Sequence, residues 1–129
     1  MHEDYDARGI YLYELSQPDL EIALDSEERL GGAANVARNV VALGGQARLL
    51  AITGQDEAAE RIDSLLADST IDARLLRDPA LPTTLKLRVL SRSQQLIRLD
   101  FEARPGAAAL ADLQAAFADA LAWAQVVVL

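Results

Sequence analysis

Apolar and polar residues alternate most regularly between Thr84 and Glu102. Leu85, Leu87 and Val89 interleave with Lys86 and Arg88, and Ile97, Leu99 and Phe101 interleave with Arg98, Asp100 and Glu102. A period of two is that of a strand with one apolar and one charged face, and the polar Ser91-Arg92-Ser93 between the runs predicts a hairpin. Upstream, Tyr11, Tyr13 and Leu15, then Leu20, Ile22 and Leu24, alternate around Ser16-Gln17-Pro18-Asp19, which predicts two shorter strands in a hairpin of their own. The period becomes helical from Ala33 to Leu43, where Val36, Ala37, Val40 and Leu43 mark the inward stripe and Gly44-Gly45 supplies the stop. Residues 47–52 form an apolar run of strand length ending at Thr53-Gly54. Asp56 is then placed to cap a helix over 57–68 with Ile62, Leu65 and Leu66 facing inward. Residues 71–76 read as another strand, broken by Asp78-Pro79. After Pro105-Gly106 an Ala-rich helix is expected over 108–123, with Phe117 and Trp123 as core positions. Val126 to Leu129 read as a continuous apolar strand. Such a strand belongs in the middle of a parallel sheet with more chain after it, so the chain reads as cut there.

Strands alternating with helices predict an α/β fold with a largely parallel sheet, and the charged hairpins predict a β appendage. At 129 residues the chain suits one globular domain or a piece of a larger one. Its 51% hydrophobic and 5% aromatic content implies an ordered core built from Ala, Leu and Val. The chain has no cysteine, which excludes disulfides, a thiol nucleophile and Cys-based zinc sites; the single histidine, His2, excludes a Ser-His-Asp triad and His-based metal sites. No apolar run approaches the roughly 20 residues of a membrane span and no basic leader precedes one, so a cytoplasmic protein is expected.

The net charge of −8 disfavours nucleic acid and anionic membranes as partners, but the charge is uneven. Acids dominate from Glu3 to Arg29, whereas Lys86 (the only lysine), Arg88, Arg92, Arg98 and Arg104 outnumber Asp100 and Glu102 in the hairpin region. A local cationic strip on an acidic protein suits a small anionic ligand. Lys86, Arg88 and Arg98 share one strand face by period, and a three-residue turn sets Arg88 directly opposite Arg98. Like charges so placed repel unless an anion or carboxylate lies between them. A phosphate held bidentately by arginine meets that need. The alternative is a solvated face on which Lys86 pairs with Asp100 and Arg98 with Glu102. Gln94 and Gln95, in or near the turn, are either ligand contacts or polar turn residues.

Gly31-Gly32-Ala33-Ala34-Asn35 is the second candidate. Two glycines at a helix start allow close approach of an oxygen-rich ligand to free amides, and Asn35 can both donate to and accept from a sugar hydroxyl. The alternative, and the reading that a glycine pair by itself favours, is a plain loop-to-helix junction with Asn35 as an exposed helix residue. Thr53-Gly54-Gln55-Asp56 leads from a strand into a helix, where ligands gather in open sheets, although Asp56 fits a helix cap better than a catalytic acid.

Gly-Gly-Ala-Ala-Asn-Val-Ala-Arg-Asn with Leu43-Gly44 resembles the first signature of the ribokinase-type (PfkB) sugar kinases, and Thr53-Gly54-Gln55-Asp56 resembles their following Gly-x-Asp segment. Residues 84–102 closely resemble the kinase domains of the bacterial heptose 7-phosphate kinase / heptose 1-phosphate adenylyltransferase branch of that family, which serves lipopolysaccharide core synthesis. The resemblance is good over 28–102 and looser to Leu129. It implies a partial ribokinase-like three-layer α/β/α fold with a β-hairpin lid over the sugar, the lid strands lying at about 9–30 and 84–102 and often forming a homodimer. It further implies that Gly31, Gly32 and Asn35 line the sugar site. Lys86, Arg88 and Arg98 then reach the substrate's existing phosphate, with Gln94 or Gln95 assisting.

The departures matter as much. Ser16-Gln17-Pro18-Asp19-Leu20-Glu21-Ile22 is a blurred form of the family's Ser-Pro-Glu-x-Pro-Val-Pro lid segment, and Asp4 is the candidate remnant of its early sugar-binding aspartate. The Gly-Ala-Gly-Asp loop, which supplies the catalytic base and an anion hole in the family, is absent. So are the ATP-binding C-terminal half and the adenylyltransferase domain. The resemblance therefore implies ATP and Mg²⁺ for the intact enzyme, with no catalytic or metal-binding residue in these 129. The expectation is an N-terminal portion of a heptose 7-phosphate kinase, inactive alone. A non-catalytic sugar-phosphate-binding or dimerisation module, and a kinase portion for ribose or fructose phosphate, are the alternatives.

Overall fold

A computed structural model describes residues 2–6, 12–14, 25–91 and 94–129 of the chain. Its elements run β1 (His2–Asp6), β2 (Leu12–Glu14), β3 (Asp25–Arg29), α1 (Gly32–Ala42), β4 (Arg48–Thr53), α2 (Glu57–Ala67), β5 (Asp72–Arg77), β6 (Leu85–Ser91), β7 (Gln94–Phe101) and α3 (Ala107–Leu121). The strands pair as β1-β3, β2-β6-β7 and β4-β5.

The body is the β4–α2–β5 unit, whose two strands run parallel with Arg48 beside Asp72 and Thr53 beside Arg77. Side chains alternate across a strand, so Leu49 with Ala73 and Leu75 faces one side of this ladder. There they meet Ala34, Ala37 and Val41 of α1 and Ile62, Leu65 and Leu66 of α2, joined by Leu30 and Ile71 in one apolar cluster. Arg48 projects to the opposite side, where its guanidinium lies 4.8 Å from the ring centroid of Trp123, just beyond α3. Helices therefore cover both faces of the ladder, giving three layers. The parallel βαβ unit confirms the α/β class expected from the alternating pattern.

Local signals set the helix ends. Asp56 caps α2 by accepting from the Ala59 amide, as its position predicts. At the end of α1 the Gly45 amide donates to Val40 and the Gly44 amide to Val41, with Gly44 at φ +86°. This is the left-handed stop that the glycine pair announced.

Three expectations need correction. The inward stripe of α1 is not Val36, Ala37, Val40 and Leu43: Ala34 and Ala37 are buried, while Val36, Val40 and Leu43 are exposed. The two small alanines let the helix approach the ladder closely, and periodicity alone does not say which of two neighbouring stripes does so. Trp123 is not a core residue but a half-exposed lid over Arg48. Residues 126–129 form no strand and are exposed. At the other end of the chain, Leu12–Glu14 lies in the first expected strand and pairs with β6 in parallel. The turn over 16–19 and the strand over 20–24 fall outside the described residues.

Candidate functional site

The hairpin brings Arg88 opposite Arg98 as expected, but not through a three-residue turn: Ser91 pairs with Gln94, and a one-residue register shift farther along the ladder restores that pairing. β6 and β7 are antiparallel with Lys86 opposite Asp100, Leu87 opposite Leu99 and Arg88 opposite Arg98, and the register shifts only between Val89 and Leu90. Because β2 adds to the far edge of β6, Arg88 sits on the middle strand of three, between Leu12 and Arg98. Gln94 and Gln95 open β7 as exposed strand residues opposite Ser91 and Leu90, rather than as turn residues.

Carboxylates only partly offset the cationic pair. Asp100 accepts from Arg98 Nε at 3.0 Å, and Lys86 Nζ lies 3.3 Å from Glu102. Both acids of the hairpin are thus used, but with the partners exchanged relative to the pairing considered above. Asp100 thus pairs along its own strand, with Arg98 two residues away, rather than across the ladder with Lys86. The Arg98 hydrogen bond, aided by the nearby charges of Lys86 and Arg88, holds the Asp100 carboxyl below its usual range. Arg88 gains less. Its Nε is sealed from solvent and has no hydrogen-bond partner. A buried, unmatched guanidinium N–H facing a second arginine is a donor in want of an anion.

The second candidate group lies elsewhere. Gly31 is the N-cap of α1 and is buried, Gly32 opens the helix, and Asn35 is exposed one turn in, with its amide closing the first helical bond on the Gly31 carbonyl at 2.8 Å. Gly31 has no side chain with which to accept from the amides of the first turn. α1 packs on β4, not on the hairpin. The structure thus places the two candidate groups on different elements. Asp4 lies on β1, in register with Glu27.

Between these groups runs a network that sequence reasoning found only in part. Asp56 does more than cap α2: it accepts from the Thr83 amide at 2.8 Å and from the Thr83 hydroxyl at 2.6 Å, while the Gly54 amide donates to that hydroxyl oxygen at 2.9 Å. Asp78 accepts from the Gly106 amide at 2.9 Å and from the Ala80 amide at 3.0 Å. Arg77 joins Thr53 Oγ1 to Asp63 on α2. Asp56 and Asp78 were legible as turn and cap residues. Their partners lie 27 and 28 residues away, and no local signal points to them.

Burial pushes the Asp56 carboxyl up, but the bonds from the Thr83 hydroxyl, the Thr83 amide and the Ala59 amide outweigh it, so its pKa falls below 3.8. The folded state therefore binds this proton less readily than the unfolded chain. The stabilisation is complete above the unfolded value and is lost as the pH falls through the folded one. Urea midpoints should drop as the pH is lowered below about 4, and the Asp56→Asn variant should show a shallower acid slope. An identical slope in both proteins would mean that Asp56 does not contribute to acid unfolding.

Among the described residues, no group of three or more His, Asp or Glu side chains is arranged to hold a metal ion, and no helix is long and apolar enough to cross a membrane.

A parallel βαβ body covered by helices on both faces, joined to an antiparallel sheet that carries opposed arginines, defines an α/β protein with a β appendage. The chain belongs to the pfkB family of carbohydrate kinases, whose model matches residues 6–129. It is 52% identical over 103 residues to the D-beta-D-heptose 7-phosphate kinase of Bordetella bronchiseptica, covering 80% of this chain and 33% of that protein. It is 59% identical over 78 residues to the bifunctional protein HldE of Alkalilimnicola ehrlichii, covering 60% of this chain and 16% of that one. The chain thus spans a third or less of these relatives. Among solved structures, phosphofructokinase-2 from Escherichia coli in complex with fructose-6-phosphate matches with a TM-score of 0.61 at 21% identity, covering 92% of this chain and 42% of that one. An uncharacterized sugar kinase, PH1459 from Pyrococcus horikoshii, matches with a TM-score of 0.55 at 24% identity, covering 71% and 32%. At those identities the structural likeness establishes the ribokinase-like fold.

Proposed function

We propose that this chain is the sugar-phosphate-binding portion of a heptose 7-phosphate kinase. The observation that carries the proposal is Arg88, which faces Arg98 across the hairpin with its Nε buried and unmatched. A phosphate between the two guanidinium groups relieves their repulsion and supplies the missing acceptor. Lys86 and Arg98, each already matched by one carboxylate, add positive potential around it. Gln94 and Gln95 flank the same sheet end and assist. Gly31, Gly32 and Asn35 take the sugar hydroxyls from the side of α1. The likeness to a heptose 7-phosphate kinase over 80% of the chain supports heptose as the sugar.

In the whole enzyme the anomeric hydroxyl of D-glycero-β-D-manno-heptose 7-phosphate would bond to the γ-phosphorus of ATP as the bond to ADP breaks and the hydroxyl proton leaves to a base. In this reading the part of the described residues is binding and orientation of the sugar phosphate. Orientation is a large share of phosphoryl-transfer catalysis. The exposed Ile97, Leu99 and Phe101 on the second face of β7 support assembly of the protein as a homodimer through this sheet.

Calorimetric titration of the folded chain with heptose 7-phosphate, against unphosphorylated heptose, tests the proposal. Binding that depends on the phosphate is the expected result. A folded chain that binds neither sugar overturns it.

A further inference from the structure

We infer that Asp56 and Asp78 are positioning residues that pin the two feet of the β6–β7 hairpin to the βαβ body, and so set the distance across which a sugar phosphate is held. The inference rests on the reading of the hairpin as a phosphate clamp.

The hairpin leaves the body at Thr83, two residues before β6, and returns to it at Gly106, the N-cap of α3. Each crossing point is held by one carboxylate of the body. At the departing foot, both donors of Thr83 reach Asp56, and Gly54 closes the triangle through the Thr83 hydroxyl. At the returning foot, Gly106 donates to Asp78, whose own amide donates to the Thr53 carbonyl at the end of β4. Thr83 and Asp78 are buried, at 6% and 9% exposure, so these charge-assisted bonds act where water competes least. The Asp78 carboxylate also lies at the α3 N-terminus, the end of a helix that favours negative charge. The hairpin's own ladder does not depend on either acid. Removing a foot therefore leaves the hairpin folded but less fixed in relation to α1, and a ligand that must touch both surfaces suffers most.

The chain has no cysteine, so spin labels can be placed cleanly at Ala67→Cys on α2 and Leu96→Cys on β7, both exposed positions. Double electron–electron resonance should give a narrow distance distribution in the parent chain, a broad one in Thr83→Val, and a narrow one again in Thr83→Ser, which restores the hydroxyl. Asp78→Asn serves as the second variant should Thr83→Val fail to fold. In unlabelled protein the same changes should weaken heptose 7-phosphate about tenfold or more while leaving inorganic phosphate, which needs only the hairpin, within about twofold. An unchanged distance distribution in a folded Thr83→Val or Asp78→Asn chain overturns the inference. Equal loss of both ligands also overturns it, because that marks general damage. If the parent chain binds neither ligand, the phosphate-clamp reading falls, and the distance distributions alone decide whether the feet are pinned.

Discussion

Replacing Arg88 with alanine is expected to weaken heptose 7-phosphate binding by about 1.5–3 kcal/mol, roughly ten- to 150-fold, and to leave unphosphorylated heptose nearly unaffected. The size of the effect follows from what Arg88 does without a ligand. Its Nε is buried and unbonded, and a second arginine stands opposite. Binding a phosphate there breaks no existing ion pair, so little of the gain is given back. Arg98 differs, because its Nε already bonds Asp100. Arg98→Ala should therefore lose less affinity than Arg88→Ala. The folding free energy should move the other way: removing a buried unmatched donor and a like-charge pair leaves the Arg88→Ala chain as stable as the parent or more so. Calorimetry with both sugars and urea unfolding of each variant provide the check. Equal affinity losses for the two sugars would remove the phosphate clamp from consideration.

Gly54→Ala should be the most damaging single methyl group in the body, costing about 3–5 kcal/mol of stability. A Cβ at Gly54 would sit 2.2 Å from the Leu81 carbonyl oxygen and 3.1 Å from the Thr83 amide nitrogen. Both are backbone atoms, which cannot swing aside as a side chain can. The 81–83 segment must move as a whole, and it takes with it the bonds from Thr83 to Asp56 and from Gly54 to Thr83. Gly44→Ala makes the contrast. Its φ of +86° is strained for alanine, but nothing lies within 4 Å of the added atom, so about 1 kcal/mol is expected. Urea midpoints of the two variants measure the difference. A Gly54→Ala loss no greater than that of Gly44→Ala would show that the hairpin's departing foot yields freely.

Features set by neighbours in sequence were readable. α2 with its Asp56 cap and the glycine stop of α1 depend on residues a few positions apart, where period and capping act directly, whereas Arg88 comes opposite Arg98 through a register shift that the turn length did not predict. The charge face of the hairpin, and hence the search for an anion, came from the same local pattern. The ion pairs on that face were harder. Lys86 and Arg98 each had two carboxylates within reach, and side-chain geometry chose Glu102 for the first and Asp100 for the second.

What the sequence determined by itself is the order and type of the central elements and the chemistry they carry: a βαβ body, a two-faced hairpin, a glycine-led helix with Asn35 in its first turn. Tertiary structure decided what those elements meet. It chose the alanine stripe of α1 over the valine stripe, because only small side chains allow the helix to approach the ladder closely. It set Trp123 over Arg48 instead of in the core, and it added β2 to β6 in parallel. It also turned Asp56 from a helix cap into an anchor for Thr83, and set Asp78 on Gly106. Apart from the α1 stripe, each of these joins residues more than twenty positions apart. Local propensity is silent at that range, and the packing of the whole body makes the choice.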